Sequence, residues 1–262
     1  MVDDSNGWMQ KVTEKESAVL HTHDGGRHWV NVSPSALTNA AKKLFDEHRA
    51  DRLSDFAALC PLDAQRAWVS ITPENSEVVL LEYTADAGQH WKERVAPVAT
   101  YAAHISFVDE LHGFLLATST PATGHMDKKF YGTEDGAEHW HVLAPPPVSG
   151  CYPTGIFFRS RTDGWLTATY HGGDDAPLYR TQDGGKSWKL QKLNVPGGYR
   201  GGYADTYPPV FIGAEKKQGY LPVKLVRNEP KPGHVAWVTY ETEDGGATWH
   251  VPASGIPSVP DE

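Results

Sequence analysis

The residues whose types could do chemistry lie in three stretches rich in turn formers. They are His171, Asp174 and Asp175 in HGGDDAP, Tyr152 in PPPVSGCYP, and Tyr199, Arg200, Tyr203, Asp205 and Tyr207 in GGYRGGYADTYPP. Aromatic rings beside carboxylates and a guanidinium suit the binding of a sugar or a peptide. Two carboxylates across a cleft would also serve glycosidic-bond hydrolysis. Asp174, Asp175 and Asp205 supply such groups, but nothing in their spacing requires that arrangement. The plainer reading of the same stretches is solvated loop, with the tyrosines packed back onto the fold.

Other chemistry has less support. His21 and His23, like His139 and His141, stand two apart. Two imidazoles on one side of a strand begin a zinc site, but a third ligand must come from elsewhere. Neither a His-Glu-x-x-His motif nor an EF-hand loop occurs, so no metal and no cofactor is expected. Gly-x-Ser-x-Gly is missing, and the glycine pairs belong to turns rather than to phosphate loops. Cys60 and Cys151 are too few for a disulfide framework, and two unbridged, buried thiols are the expectation. A formal net charge of −9 without a basic run argues against nucleic acid. No apolar run is long enough to span a bilayer, and MVDDSNGWMQ lacks the pattern of a signal peptide.

What must position these residues is a repeat. LHTHDGGRHW, EYTADAGQHW, YGTEDGAEHW, YRTQDGGKSW and YETEDGGATW all read Thr-x-Asp-x-Gly-x-x-Trp, except that Ala137 replaces the glycine of the third. The box residues are Thr22, Asp24, Gly26 and Trp29; Thr84, Asp86, Gly88 and Trp91; Thr133, Asp135 and Trp140; Thr181, Asp183, Gly185 and Trp188; Thr242, Asp244, Gly246 and Trp249. Their threonines are 62, 49, 48 and 61 residues apart, a period that belongs to repeat architectures. An aspartate accepts hydrogen bonds from turn amides, glycine supplies positive φ, and tryptophan packs a large apolar surface. The box therefore reads as a staple of the fold rather than as a catalytic element.

Upstream of each box a small residue precedes an aromatic: Gly7-Trp8, Ala67-Trp68, Gly113-Phe114, Gly164-Trp165 and Gly219-Tyr220. Alternating apolar runs lie before this pair and between it and the box. Each repeat then reads as strands A, B, C and D, with the box at the C–D turn. Four antiparallel strands repeated around an axis make a β-propeller. The expected fold is all-β, a single propeller domain over residues 1–262 with five recognisable four-stranded blades at about 1–33, 56–98, 99–146, 150–193 and 204–254. The first blade is expected to be incomplete, since Val2, Asp3, Gly7 and Trp8 correspond to Val108, Asp109, Gly113 and Phe114 and leave its strand A almost absent. Six or seven blades in a full protein remain open. A helical insertion is expected at about 34–55, with its helix from Ser35 to Arg52.

These motifs resemble the Asp-box, or bacterial neuraminidase, repeat, and the Gly-Trp and Thr-x-Asp-Gly-Gly-x-x-Trp pairing is similar to the photosystem II assembly-factor propellers and, more distantly, to sialidases. The resemblance implies a propeller of assembly-factor type: a non-catalytic scaffold that binds a protein or peptide partner through its loop face, in an extracytoplasmic location. The partner-binding surface of that family is basic whereas this chain is acidic, which favours a client other than a photosystem. The rival implication is a carbohydrate-active propeller, whether glycoside hydrolase, sialidase-like enzyme or lectin. The Phe/Tyr-Arg-Ile-Pro motif of sialidases is absent, and Arg159, Arg161 and Arg200 match no sialidase pattern. The candidate ligand face comprises Tyr152, His171, Asp174, Asp175, Arg200, Tyr203, Asp205 and Tyr207.

Overall fold

The computed structural model describes residues 1–12, 17–34, 58–71, 78–120, 126–146, 148, 151–170, 176–213, 215–227 and 235–252. The expected helix and the candidates His171, Asp174 and Asp175 lie outside them. The chain divides into two compact units, Met1–Thr120 with Asp127–Pro145, and Pro121–Met126 with Pro146–Glu262.

In the first unit, β1 (Gly7–Val12), β2 (Ser17–Thr22) and β3 (Val30–Asn31) form a three-stranded antiparallel sheet. Strands β4 (Ala58–Pro61), β5 (Ala67–Ile71), β6 (Val79–Thr84) and β7 (Lys92–Ala96) pair in chain order in a four-stranded sheet. So do β8 (Ala102–Phe107), β9 (Gly113–Thr118), β10 (Lys128–Thr133) and β11 (His141–Leu143). The second unit holds one eight-stranded sheet. Its first repeat is β12 (Cys151–Phe158), β13 (Gly164–Tyr170), β14 (Leu178–Thr181) and β15 (Lys189–Leu190). Strands β17 (Val210–Ile212), β18 (Gln218–Val226) and β19 (Val235–Thr242) make the second.

The stretch GGYRGGYADTYPP, expected to be solvated loop, contains the short strand β16 (Tyr203–Thr206). Thr169 and Tyr170 of β13 pair with Asp205 and Ala204, and β16 then pairs along its whole length with Tyr203↔Val226 to Thr206↔Val223 of β18. The two repeats of this unit are thereby joined into one continuous sheet. Ahead of it, Tyr199 in a 3-10 turn (Gly197–Tyr199) is buried beneath the Arg227 guanidinium, 5.7 Å from the ring centroid. The backbone polar groups of this segment are satisfied by strand pairing, a non-local effect that its glycines and tyrosines do not announce.

The glycine before the aromatic has a steric cause in the third, fourth and fifth repeats. A Cβ on Gly164 or Gly219 would come within 2.6 Å of the Phe158 ring or 2.7 Å of the Phe211 ring, and Gly113 is closed off in the same way by Phe107. The last aromatic of strand A thus lies flat across the start of strand B. Sheets then pack through these aromatics: Trp68 stacks on Phe107 of the following repeat at 4.1 Å, and Trp165 meets Phe211 at 5.1 Å. Strands β6 and β9 are buried along their whole length, as strands covered on both faces must be.

Candidate functional site

The turns and the ligand candidates occupy different parts of the structure. At every box the threonine hydroxyl donates to its aspartate, at 2.8 to 3.0 Å, and accepts the amide of the residue four positions on. The same aspartate oxygen accepts the amide of the residue just before the tryptophan. Its second oxygen accepts that residue's side chain, from His28, His90 and His139 through Nδ1, from Ser187 through its hydroxyl and from Thr248 through Oγ1. These five partners are members of the motif that sequence reading left unassigned. The signal was there, since every one of them can donate from its side chain.

Hydrogen bonds first from the backbone and then from the imidazole of His90 and His139 hold Asp86 and Asp135 at about 2. The hydroxyl and then the amide of Ser187 do the same for Asp183, at about 2. At Asp244 burial pushes upward, but the bonds from Thr248 outweigh it and the result is about 2. Asp24 sits lower still, chiefly through the His28 amide. Each box is also tied to the A–B turn of its own repeat: the amides of Gly25, Ala87, Gly136, Gly184 and Gly245 donate to Ser5, Gln65, Leu111, Thr162 and Lys217. Positive φ is required throughout, at 84° for Gly185 and 77° for Gly246, and at 57° for Ala87 and 66° for Ala137.

The ligand candidates converge in the second unit. Strand register places Tyr152 opposite Thr169, Thr169 opposite Asp205, Asp205 opposite Lys224 and Lys224 opposite Trp237. Cross-strand pairs share a face, so these residues form one row across five strands. Tyr152, Thr169, Asp205 and Lys224 are half-buried, and Trp237 is 61% exposed. Lys224 Nζ stands 3.7 Å from the Asp205 carboxylate. Tyr207 lies against Trp237, with ring centroids 5.3 Å apart, and burial followed by the Asp205 charge pushes its phenol upward. Tyr203 joins the adjacent row, Tyr203–Val226–Val235, on the same face. Of the sequence candidates, Tyr152, Tyr203, Asp205 and Tyr207 therefore come together, while Arg200 is exposed on the turn that precedes β16. Lys224 and Trp237 were missed, although VAWVTY carries apolar residues in both alternating sets of positions.

The arginines do not gather around a ligand. Arg159 and Arg180 both bind Asp163, at 2.5 and 2.8 Å, and both lie over the Trp165 ring. The His21 and His23 pair also separates. His21 is buried against Trp8 with Nε2 3.0 Å from the Ala64 carbonyl, whereas His23 follows the strand and is exposed. Cys60 is half-buried and not fully buried as expected; Cys151 is buried, and neither is in a disulfide. Burial holds His104 down to about 4, and burial followed by the Glu93 charge pushes Glu82 up to about 7. No helix among the described residues is long and apolar enough to cross a membrane.

Antiparallel four-stranded sheets in sequential order, turned by boxes of this kind, define a β-propeller fold. Two solved structures bear this out. YCF48 from Cyanidioschyzon merolae is similar at 14% identity and a TM-score of 0.53, over 92% of this chain and 67% of that one. A GH74 xyloglucanase from Xanthomonas campestris is similar at 14% identity and a TM-score of 0.50, over 95% of this chain but 36% of that one. A structure of YCF48 bound to D1 peptide shares 14% identity, over 97% and 80% of the two chains, with a TM-score of 0.47. No family model and no curated protein matches the sequence.

Proposed function

We propose that the chain is a non-catalytic propeller scaffold, acting as a single domain, that binds a protein or peptide partner on the sheet face centred on Asp205. The observation that carries this reading is the exposed Trp237, tilted against Tyr207 beside the Asp205–Lys224 pair. Exposed aromatics amid aliphatic side chains are the composition of interaction surfaces. The carboxylate of this face is engaged with a lysine, which suits positioning better than acid–base work. We assign the box residues a structural role, because each box hydroxyl and carboxylate is spent on turn amides and neighbouring side chains. The test is binding of a random-peptide library to the purified chain and to W237A. Enrichment that W237A abolishes supports the scaffold.

A carbohydrate reading rests on the same Trp237–Tyr207 pair, since sugar rings stack on exposed indoles. A glycan array run in parallel distinguishes them: W237A-sensitive glycan binding with no peptide enrichment would replace the scaffold with a lectin.

A further inference from the structure

Strands β18 and β19 are buried on one face and carry large apolar side chains, among polar ones, on the other. Along β19, Ala236, Val238 and Tyr240 are buried, whereas Val235 is 54% and Trp237 61% exposed. Tyr220 on β18, Val210 and Ile212 on β17 and Tyr203 on β16 extend the exposed set over the same face, at 38% to 54%. The solvent side of an antiparallel sheet is ordinarily polar, and near-continuous apolar strands belong to sheets covered on both sides. Within this protein, the largely apolar β6 and β9 are buried along their whole length.

We propose that two copies of this chain meet face to face on this sheet, a reading that rests on the face being the partner-binding surface. Three observations favour a second copy. The face is self-complementary in kind: an apolar sheet surface is what covers such strands elsewhere in the molecule, and a two-fold axis brings it onto itself. The area suffices. Six large side chains at these exposures present roughly 500–600 Å² per copy, and the half-buried residues around them bring the total near the ~800 Å² per partner of a standard interface. The charges also allow it. Two copies at −9 each repel, but Lys224 offsets Asp205 at the centre of the patch, and Glu241, opposite Tyr220, is the carboxylate left at its edge.

Sedimentation equilibrium of the full chain, from about 1 to about 100 μM, spans the affinities of interfaces this size. The expected result is a dimer that W237E weakens by about 30-fold or more. V142E, in the other unit at a site 76% exposed, should leave the dimer unchanged. Raising salt should tighten association by screening the like charge, whereas a cationic partner would bind less tightly. Near-UV circular dichroism confirms that W237E keeps its fold. A wild type that stays monomeric throughout, or a dimer indifferent to W237E, overturns the proposal. A monomer that still enriches peptides in a Trp237-dependent way overturns self-association alone. A monomer that enriches none overturns the partner-binding reading as well.

Discussion

Arg180 and Gly246 are 66 positions apart, and the Arg180 guanidinium donates to the Gly246 carbonyl at 3.0 Å. The side chain leaves strand C of one repeat and ends in the Asp-box of the next. On the way it pairs with Asp163 and lies 4.9 Å from the centroid of Trp165.

Asp163 is the single carboxylate between two guanidiniums whose side chains are only 23% and 15% exposed. Replacing it leaves both cations poorly solvated and unneutralised. D163A should lower stability by about 2–4 kcal/mol, read from the urea midpoint, and D163N by less because it keeps a hydrogen-bond acceptor. An equal loss in both would mean that packing, rather than charge, dominates.

Thr181 is 1% exposed, and its hydroxyl accepts the Gly185 amide at 2.8 Å. T181V keeps the shape but orphans that buried amide, at an expected loss of about 1–3 kcal/mol. T181S should restore most of it. Chemical denaturation of the two variants gives the comparison directly.

The chain should lose stability at both ends of the acid-to-neutral range, for opposite reasons. Box aspartates held at about 2 for Asp86, Asp135 and Asp183 stabilise the fold above the ordinary carboxylate range near 4. That contribution is lost as pH falls through 2. Glu82 is raised to about 7, so its folded form prefers the proton. It destabilises progressively as pH rises from about 4.3 to about 7. Thermal melts of E82Q should show a flatter slope over that window and a gain on the order of 2 kcal/mol at pH 8. An unchanged slope would place the titration elsewhere.

Ala87 and Ala137 both hold positive φ, at 57° and 66°. A side chain there costs about 1–2 kcal/mol, against roughly 0.5–1 kcal/mol of unfolded-state entropy returned to glycine. A87G should therefore stabilise by a few tenths of a kcal/mol to about 1 kcal/mol. Ala137 is 1% exposed, so A137G also forfeits a buried methyl worth about 0.8 kcal/mol and should be neutral or worse. Paired urea titrations resolve the difference.

The boxes were legible in the sequence because everything they do is local. Thr181, Asp183, Gly185 and Ser187 satisfy one another within seven residues. The Gly-aromatic pairs were legible as a pattern, though their cause, a ring from the preceding strand lying over Gly164 or Gly219, exists only in the folded chain. Strand β16 was not legible, because YADT has little to mark it as a strand and its partners lie on β13 and β18. The site inherited that blindness. Asp205 and Tyr203 were seen as chemistry in a loop, and the Lys224 and Trp237 set beside them by register were not. Arg159 and Arg180 were opaque for a related reason, since only folding shows that both are spent on Asp163.

Strand β16 also changes what can be interchanged. In repeat proteins each unit contacts only its neighbours, so single units can be gained, lost or melted in turn. Here Thr169↔Asp205 and Asp205↔Lys224 stitch two repeats through one segment. Severing the chain between Tyr199 and Tyr203 would unravel a seam rather than a hinge. Their amides should exchange with solvent together, as one cooperative block, and the pair rather than the single repeat is the smallest module that duplication or deletion could move intact.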